Sequence, residues 1–460
     1  MVPSDIAGKR FAVIGAARSG VAVARLLHAA GASVFVSDNA PQEKKAETAD
    51  ALARLGVAHE FGGHSARVLD ADIMVISPGV PDTVPVVQEA MRRGIRMVSE
   101  LEVSSWFCPG PIVAITGTNG KTTTTTLCGR MFEDARRPVV VGGNIDPAFA
   151  DVVGGMTPRH TAVLEVSSFQ LDHVDTFRPR VAVLLNITPD HLDRYDHEFS
   201  KYVASKSRVF ARQGAGDTVI YNDDDEVTRQ TVEEHLPAGV HRLPFSIRRT
   251  LTEGAWVAEG KLMTCVHDRS AGVIATDDIS IRGMHNLYNA MAATLSAQVM
   301  AVSTASLRAT LRDFKGVEHR LEIVQTINGV TYINDSKATN VDSVWYALQS
   351  YDAPLILLLG GRDKGNDYDR LRDLVRKHVK AVIAIGESAG KVQSSFDGIV
   401  PVESAASMDQ AVRAATARAV RGDIVLLSPA CASFDWFKNY EDRGRVFKEI
   451  VRSLSGEHAC

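Results

Sequence analysis

A chain of 460 residues with 45% hydrophobic and 23% charged residues has the composition of an ordinary globular protein and length for roughly three domains. Its formal net charge of -4 and pI near 6.4 exclude a global attraction to nucleic acid or an anionic membrane. No apolar run approaches the roughly 20 residues that span a bilayer, so membrane insertion is not expected.

The first ten residues carry an acid and lead straight into a strand, unlike a signal peptide. The first block then runs Arg10-Phe-Ala-Val-Ile-Gly15, a turn through Arg18-Ser19-Gly20, an alanine-rich helix, and the strand Ser33-Val-Phe-Val-Ser-Asp38. This is a βαβ start with an acid at the end of its second strand. Ala17 stands where a dinucleotide fingerprint needs glycine, which argues against NAD. Asp72-Ile-Met-Val-Ile-Ser77 empties into Pro78-Gly79-Val80 at the carboxyl edge, where open α/β sheets bind ligands.

Cys108-Pro109-Gly110-Pro111 reads as a linker. Beyond it, the strand Pro111–Ile115 meets Thr116-Gly117-Thr118-Asn119-Gly120-Lys121-Thr122-Thr123 and then a helix to about Phe132. Strand, glycine turn and helix together make a phosphate loop. Backbone N–H groups and the helix dipole face the anion, Lys121 reaches the outer phosphates, and the Thr122 hydroxyl is a magnesium ligand. The loop is shorter than the common form, because Ile115 stands where that form has its first glycine. Strands 161–165 and 181–186 follow, and from about Asp217 to Gly283 short strands suggest a small β appendage. Asp223-Asp224-Asp225-Glu226 reads as a solvated turn in preference to a metal site. The third block repeats the strand–helix rhythm at 330–334, 355–359, 381–385 and 423–428. Alternation throughout predicts an α/β protein with parallel sheets. It has a Rossmann-like domain at 1–107, a central P-loop mononucleotide-binding domain at 108–317 and a Rossmann-like C-terminal domain at 318–460. The scattered cysteines, Cys108, Cys128, Cys265, Cys431 and Cys460, include no Cys-x-x-Cys pair and fit a reducing cytoplasm.

Four polar groups follow strands of the central block: Asn144 after Val139–Val141, Glu165 after Ala162–Leu164, His191 past 181–185, and Lys206 on a helix. A carboxylate, an imidazole and the Thr122 hydroxyl around a triphosphate make a magnesium shell. With them stand Leu164-Glu-Val-Ser-Ser-Phe-Gln170, Asn186-Ile-Thr-Pro-Asp-His-Leu-Asp193, His285-Asn286-Leu-Tyr-Asn289 and Glu318-His-Arg320. The chain carrying these segments resembles the Mur ligases, ATP-dependent amino-acid ligases of peptidoglycan synthesis. Asn334-Asp-Ser-Lys-Ala-Thr-Asn340 and Leu427-Ser-Pro-Ala-Cys-Ala-Ser433-Phe-Asp435 resemble the branch that adds D-glutamate.

That resemblance implies an ATP- and magnesium-dependent ligase, with two ions, that forms an acyl phosphate on UDP-N-acetylmuramoyl-L-alanine and couples it to D-glutamate. It also implies a cytoplasmic monomer serving cell-wall growth and division. An L-glutamate-adding variant and a folylpolyglutamate synthetase-like ligase are the alternatives. By resemblance, Gly117 to Thr123, Asn286, Asn289, Arg320 and Asp335 hold ATP. Thr122, Glu165, His191 and Lys206 ligate metal, Lys206 as an N6-carboxylated side chain, and Lys121, Glu165, His191 and Lys206 act in catalysis. A bare ammonium beside magnesium would repel it, whereas a carbamate is an anion that ligates it. The uridine nucleotide falls to Arg18, Ser19, Asp38, Asn39, Ser77, Pro78, Gly79, Asn144, Ser167 and Gln170. The amino acid, with two carboxylates, falls to Lys337, Thr339, Lys364, Ser433, Phe434 and Tyr440, the last where the family has phenylalanine.

Overall fold

The computed structural model describes residues 5–363 and 365–457. Contacts divide the chain into two compact units, one of Met1–Ile279 with Tyr288–Phe314, the other of Ser280–Leu287 with Lys315–Cys460. Lys364 and Cys460 lie outside the described residues.

The first unit holds two sheets. In the smaller, strands Ala58–Phe61, Ser33–Asp38, Arg10–Ile14, Ile73–Ile76 and Arg96–Ser99 lie side by side in that order, all parallel. The order reverses between Arg10–Ile14 and Ile73–Ile76, so the turns leaving those two strands diverge and open a crevice. Gly15 at φ +95 and Gly20 permit the first turn: a Cβ on Gly20 would overlap the Gly15 carbonyl.

The larger sheet runs Arg269–Ala275, Lys261–Val266, Gly254–Ala258, His241–Ser246, Thr218–Asn222, Val181–Leu184, Ile112–Thr116, Thr161–Glu165 and Val139–Gly143. Its central strands are buried on both faces, which is why Ile112–Thr116 and Val181–Leu184 read as nearly unbroken apolar runs. The 217–283 region is not a separate appendage. Thr218–Asn222 pairs in parallel with Val181–Leu184, and the later strands extend the same sheet.

The second unit has one sheet, ordered Glu322–Ile327, Val330–Asn334, Ile424–Leu427, Leu355–Gly360, Val379–Ile385 and Val402–Ser404. Apolar clusters cover both of its faces, one around Leu357 and Phe396, the other around Leu358 and Phe447. Parallel pairing is not universal. Gly254–Ala258 with Lys261–Val266, Lys261–Val266 with Arg269–Ala275, and Glu322–Ile327 with Val330–Asn334 are antiparallel. Each is joined by two residues at positive φ, namely Glu259-Gly260, His267-Asp268 and Asn328-Gly329. A two-residue link cannot carry a parallel crossover, so these turns dictate hairpins.

The 223–226 acids form a turn, as the sequence suggests. Asp225 caps the helix Glu226–His235 through Thr228 N, Asp223 pairs with Arg249, and Asp224 accepts from Ser246, Ile247 N and the Tyr288 hydroxyl.

Candidate active site

The phosphate loop leaves the buried strand Ile112–Thr116 and enters the helix Lys121–Asp134 through Gly120, at φ +86. A Cβ on Gly117 would come within 2.9 Å of Leu185 Cβ, and one on Gly120 would overlap Asn289 Oδ1. The concave face is therefore bare backbone, as a phosphate cradle requires. Lys121 Nζ donates to the carbonyls of Gly117 and Thr118 at 2.9 Å each. Asn119 N donates to Asn186 Oδ1 at 2.8 Å and Asn186 Nδ2 returns a bond to Asn119 O at 3.0 Å. Thr118 Oγ1 donates to Thr188 O at 3.0 Å. Sequence reading missed Asn186 as the loop's clamp. Its signal was the position, two residues past a strand that pairs beside the loop's own.

Beside the loop, the Thr122 hydroxyl donates to Glu165 Oε2 at 2.6 Å, and Asn144 Nδ2 donates to Glu165 Oε1 at 3.1 Å. Thr123 is buried in the first turn of the helix. Lys206, on the helix Phe199–Ser207, is 1% exposed. Its Nζ donates to Gly117 O at 2.8 Å and lies 4.6 Å from the Tyr202 ring centre. Burial holds this amine well below the ordinary lysine range, and the nearby Lys121 ammonium acts in the same direction. His191 sits at φ +52 with Nε2 3.8 Å from Asp190 Oδ2 and its ring edge-on to Phe169, centres 5.1 Å apart. A hydroxyl, a carboxylate and an imidazole are oxygen and nitrogen donors suited to a divalent ion at a triphosphate.

The crevice of the small sheet is a cavity of about 570 Å³. Arg18, Ser19, Asp38, Asn39, Ser77, Pro78, Gly79, Asn144 and Gln170 line it. Ser167 does not: it closes a capping box with Gln170 at the start of the short helix Ser168–Leu171. Asp38 is committed to the turn, accepting from Ala16 N at 2.6 Å and Ala40 N at 2.8 Å. Two titratable lining residues, His64 and Glu100, were not anticipated. Burial pushes the Glu100 carboxyl up to about 7 while Oε1 accepts from Gln170 Nε2 at 2.7 Å. Asn144 belongs both to this cavity and to Glu165, so hydrogen bonds run from the cavity wall to the phosphate loop.

On the helix Met284–Val299, Asn289 braces the loop by accepting from Thr124 Oγ1 at 3.2 Å, while Asn286 Nδ2 donates to Arg282 O at 2.8 Å. The i,i+3 pair therefore has two local duties.

In the second unit, the loop after Val330–Asn334 meets the loop after Ile424–Leu427, because those strands are neighbours. Ser428 Oγ donates to Asp335 Oδ2 at 2.8 Å, and Arg320 stands close enough to oppose the burial that pushes Asp335 up to about 7. Arg320 Nε is buried with no partner among the described residues. Buried Arg443, unforeseen from sequence, ties the loops: Nε donates to Ser336 Oγ at 2.9 Å, Nη2 to Ser336 O at 2.7 Å and Nη1 to Cys431 O at 3.1 Å. Lys337 Nζ lies 5.2 Å from the Tyr440 ring centre, so the tyrosine supplies a cation–π face. Ser433 is buried, Phe434 is 63% exposed and Thr339 is half-buried.

A phosphate loop at the carboxyl edge of a mostly parallel sheet, with a carboxylate on its threonine, defines a nucleoside-triphosphate-binding α/β protein. Residues 9–99 match the Mur ligase MurD-like N-terminal domain, 115–297 the Mur ligase middle domain, and 319–431 the Mur ligase, glutamate ligase domain. A protein of Salinibacter ruber named UDP-N-acetylmuramoylalanine--D-glutamate ligase is 50% identical across 99% of this chain and 100% of its own. One of the same name from Chloroherpeton thalassium is 44% identical over the same shares. Among solved structures, a pseudomurein peptide ligase type C of Methanothermus fervidus superposes with a TM-score of 0.61 at 20% identity, covering 97% of this chain and 100% of that one. The UDP-N-acetylmuramate-alanine ligase of Thermotoga maritima gives 0.59 at 18%, with the same coverage. The chain belongs to the Mur ligase family.

Proposed function

We propose that this chain is an ATP-dependent ligase that joins D-glutamate to UDP-N-acetylmuramoyl-L-alanine in peptidoglycan precursor synthesis. The names of full-length relatives at 50% and 44% identity support the substrate pair. The observation that carries the reading is the hydrogen-bonded path from the first-domain cavity through Asn144 and Glu165 to Thr122 of the phosphate loop. A nucleotide-linked carboxylate in that cavity would end beside the γ-phosphate. Folylpolyglutamate synthesis is not favoured, since the MurD-like first domain spans residues 9–99.

In the reaction, the substrate carboxylate attacks the γ-phosphorus of ATP, giving an acyl phosphate and ADP. The glutamate amine, once deprotonated, then attacks the acyl carbon and phosphate leaves. Positioning and charge neutralisation dominate such transfers. Lys121 and the loop N–H groups hold the phosphates, and Asn144 orients the acyl end. Thr122, Glu165, His191 and N6-carboxylated Lys206 are the donors for Mg²⁺, which when bound neutralises charge on the transferring phosphoryl group. Lys206 suits carboxylation because burial disfavours its charged form, and the neutral amine is the form that attacks CO₂, releasing one proton as the N–C bond forms. Arg320 and Asp335 would take the nucleotide together with Asn286 and Asn289. Lys337, Thr339, Lys364, Ser433, Phe434 and Tyr440 would take D-glutamate. The division at 107 and 317, a cytoplasmic location and a monomeric state complete the proposal.

Phosphate release with ATP, Mg²⁺ and UDP-N-acetylmuramoyl-L-alanine tests it, comparing D-glutamate, L-glutamate and no amino acid. Release with D-glutamate alone is expected. Release with L-glutamate instead moves the chain to the variant specificity, and silence with both overturns the acyl substrate.

A further inference from the structure

We propose that His241, Glu253 and His267 form a binding site for a divalent transition-metal ion of the zinc class, separate from the magnesium centre. The three residues come from different connections of the large sheet. His241 opens the strand His241–Ser246, Glu253 immediately precedes Gly254–Ala258, and His267 lies in the turn between Lys261–Val266 and Arg269–Ala275. One ligand atom from each falls within 4.8 Å of the others. His241 Nε2 is 2.8 Å from Glu253 Oε1, and His267 N donates to that same oxygen at 3.2 Å. The two imidazoles stack with centres 4.8 Å apart and planes 17° from parallel.

A simple His241–Glu253 hydrogen bond does not explain why His267 is folded over the pair. His267 also holds φ +50 in a two-residue turn, where asparagine or glycine is the easier choice. Bonds of about 2.1 Å in a tetrahedron separate ligand atoms by roughly 3.4 Å, so to admit an ion the 2.8 Å pair must open slightly and the stacked His267 ring must turn to aim its in-plane lone pair at the same point. Two imidazoles and one carboxylate favour zinc over the all-oxygen preference of magnesium or calcium, and leave a fourth position for water.

The cluster lies at the amino edge of the parallel strands, whereas the phosphate loop leaves the carboxyl edge. An ion there would pin three connections of the sheet's outer strands and act on stability without entering the reaction. The inference does not depend on the substrate assignment.

The test is Zn²⁺ titration of the full chain in excess Mg²⁺, by calorimetry and by competition with a chelating indicator, alongside His267→Ala and Glu253→Gln. Co²⁺ as a second probe should give a tetrahedral visible absorption in the parent chain that both variants lose. One equivalent of Zn²⁺ is expected to bind the parent and raise its melting temperature. Each variant should weaken binding by at least about 10-fold, the cost of losing even an orienting partner. Phosphate release by His267→Ala should stay at the parent level, which shows that the variant folds. Zn²⁺ affinity unchanged in both variants, or binding only at millimolar ion, overturns the site as adventitious.

Discussion

Replacing Gly120 by alanine probes the phosphate loop at the point where backbone and side-chain constraints coincide. The residue holds φ +86, a left-handed conformation that costs an L-residue about 1–2 kcal/mol. The new methyl also overlaps Asn289 Oδ1, whose bond from Thr124 Oγ1 must then break or shift, at about 0.5–1.5 kcal/mol. Together these amount to about 1.5–3.5 kcal/mol, applied to the loop that must cradle the phosphates. If bound ATP demands the parent loop geometry, its affinity should fall on the order of 10- to 300-fold, at 1.4 kcal/mol per decade. ATP binding by calorimetry and the ATP dependence of phosphate release both measure this, with a melting curve to show that the fold persists. A Gly120→Ala chain with parent ATP affinity and parent melting temperature would refute the claim that this turn admits only glycine.

Lys206→Ala should abolish phosphate release, with partial rescue by added short-chain carboxylic acids that replace the carbamate; full activity without rescue would remove the carbamate from the metal site. Asp335 gives a pH signature. Burial raises its carboxyl from 3.8 to about 7, so between those values the folded chain keeps a proton that the unfolded chain has lost. The folded state binds more protons there, and stability falls as pH rises from about 4 to about 7, then levels. Asp335→Asn should flatten part of that slope, and melting temperatures at about pH 5 and about pH 8 would reveal it; parallel profiles for both chains would contradict the assignment. Glu100 has the same sign, so some slope should remain in the variant.

Local chemistry was legible in sequence because it is encoded in contiguous residues. The phosphate loop needs only a strand, two glycines, a lysine, a threonine and a helix in succession, and the chain spells them from Thr116 to Thr123. Strand ends were equally readable: Arg18, Asp38 and Ser77 lie at or just past the carboxyl ends of three neighbouring strands, two of which flank the reversal of strand order, and all three line one cavity. The outer strands of the large sheet were misread as an appendage because sheet membership depends on pairing with Val181–Leu184, a partner no local pattern names. Asn328-Gly329 was a readable hairpin signal, whereas His267-Asp268 was not, since neither residue advertises a left-handed turn.

By itself, then, the sequence determined the α/β class, the phosphate loop and the segments that follow strands, because each depends on neighbours in the chain. Only the tertiary structure decided that Asn144 joins the cavity to Glu165, that Asn186 clamps Asn119, and that Arg443 binds Ser336 to Cys431. Those contacts cross tens to more than a hundred residues, and they exist because parallel strands distant in sequence deliver their loops to one edge of a sheet.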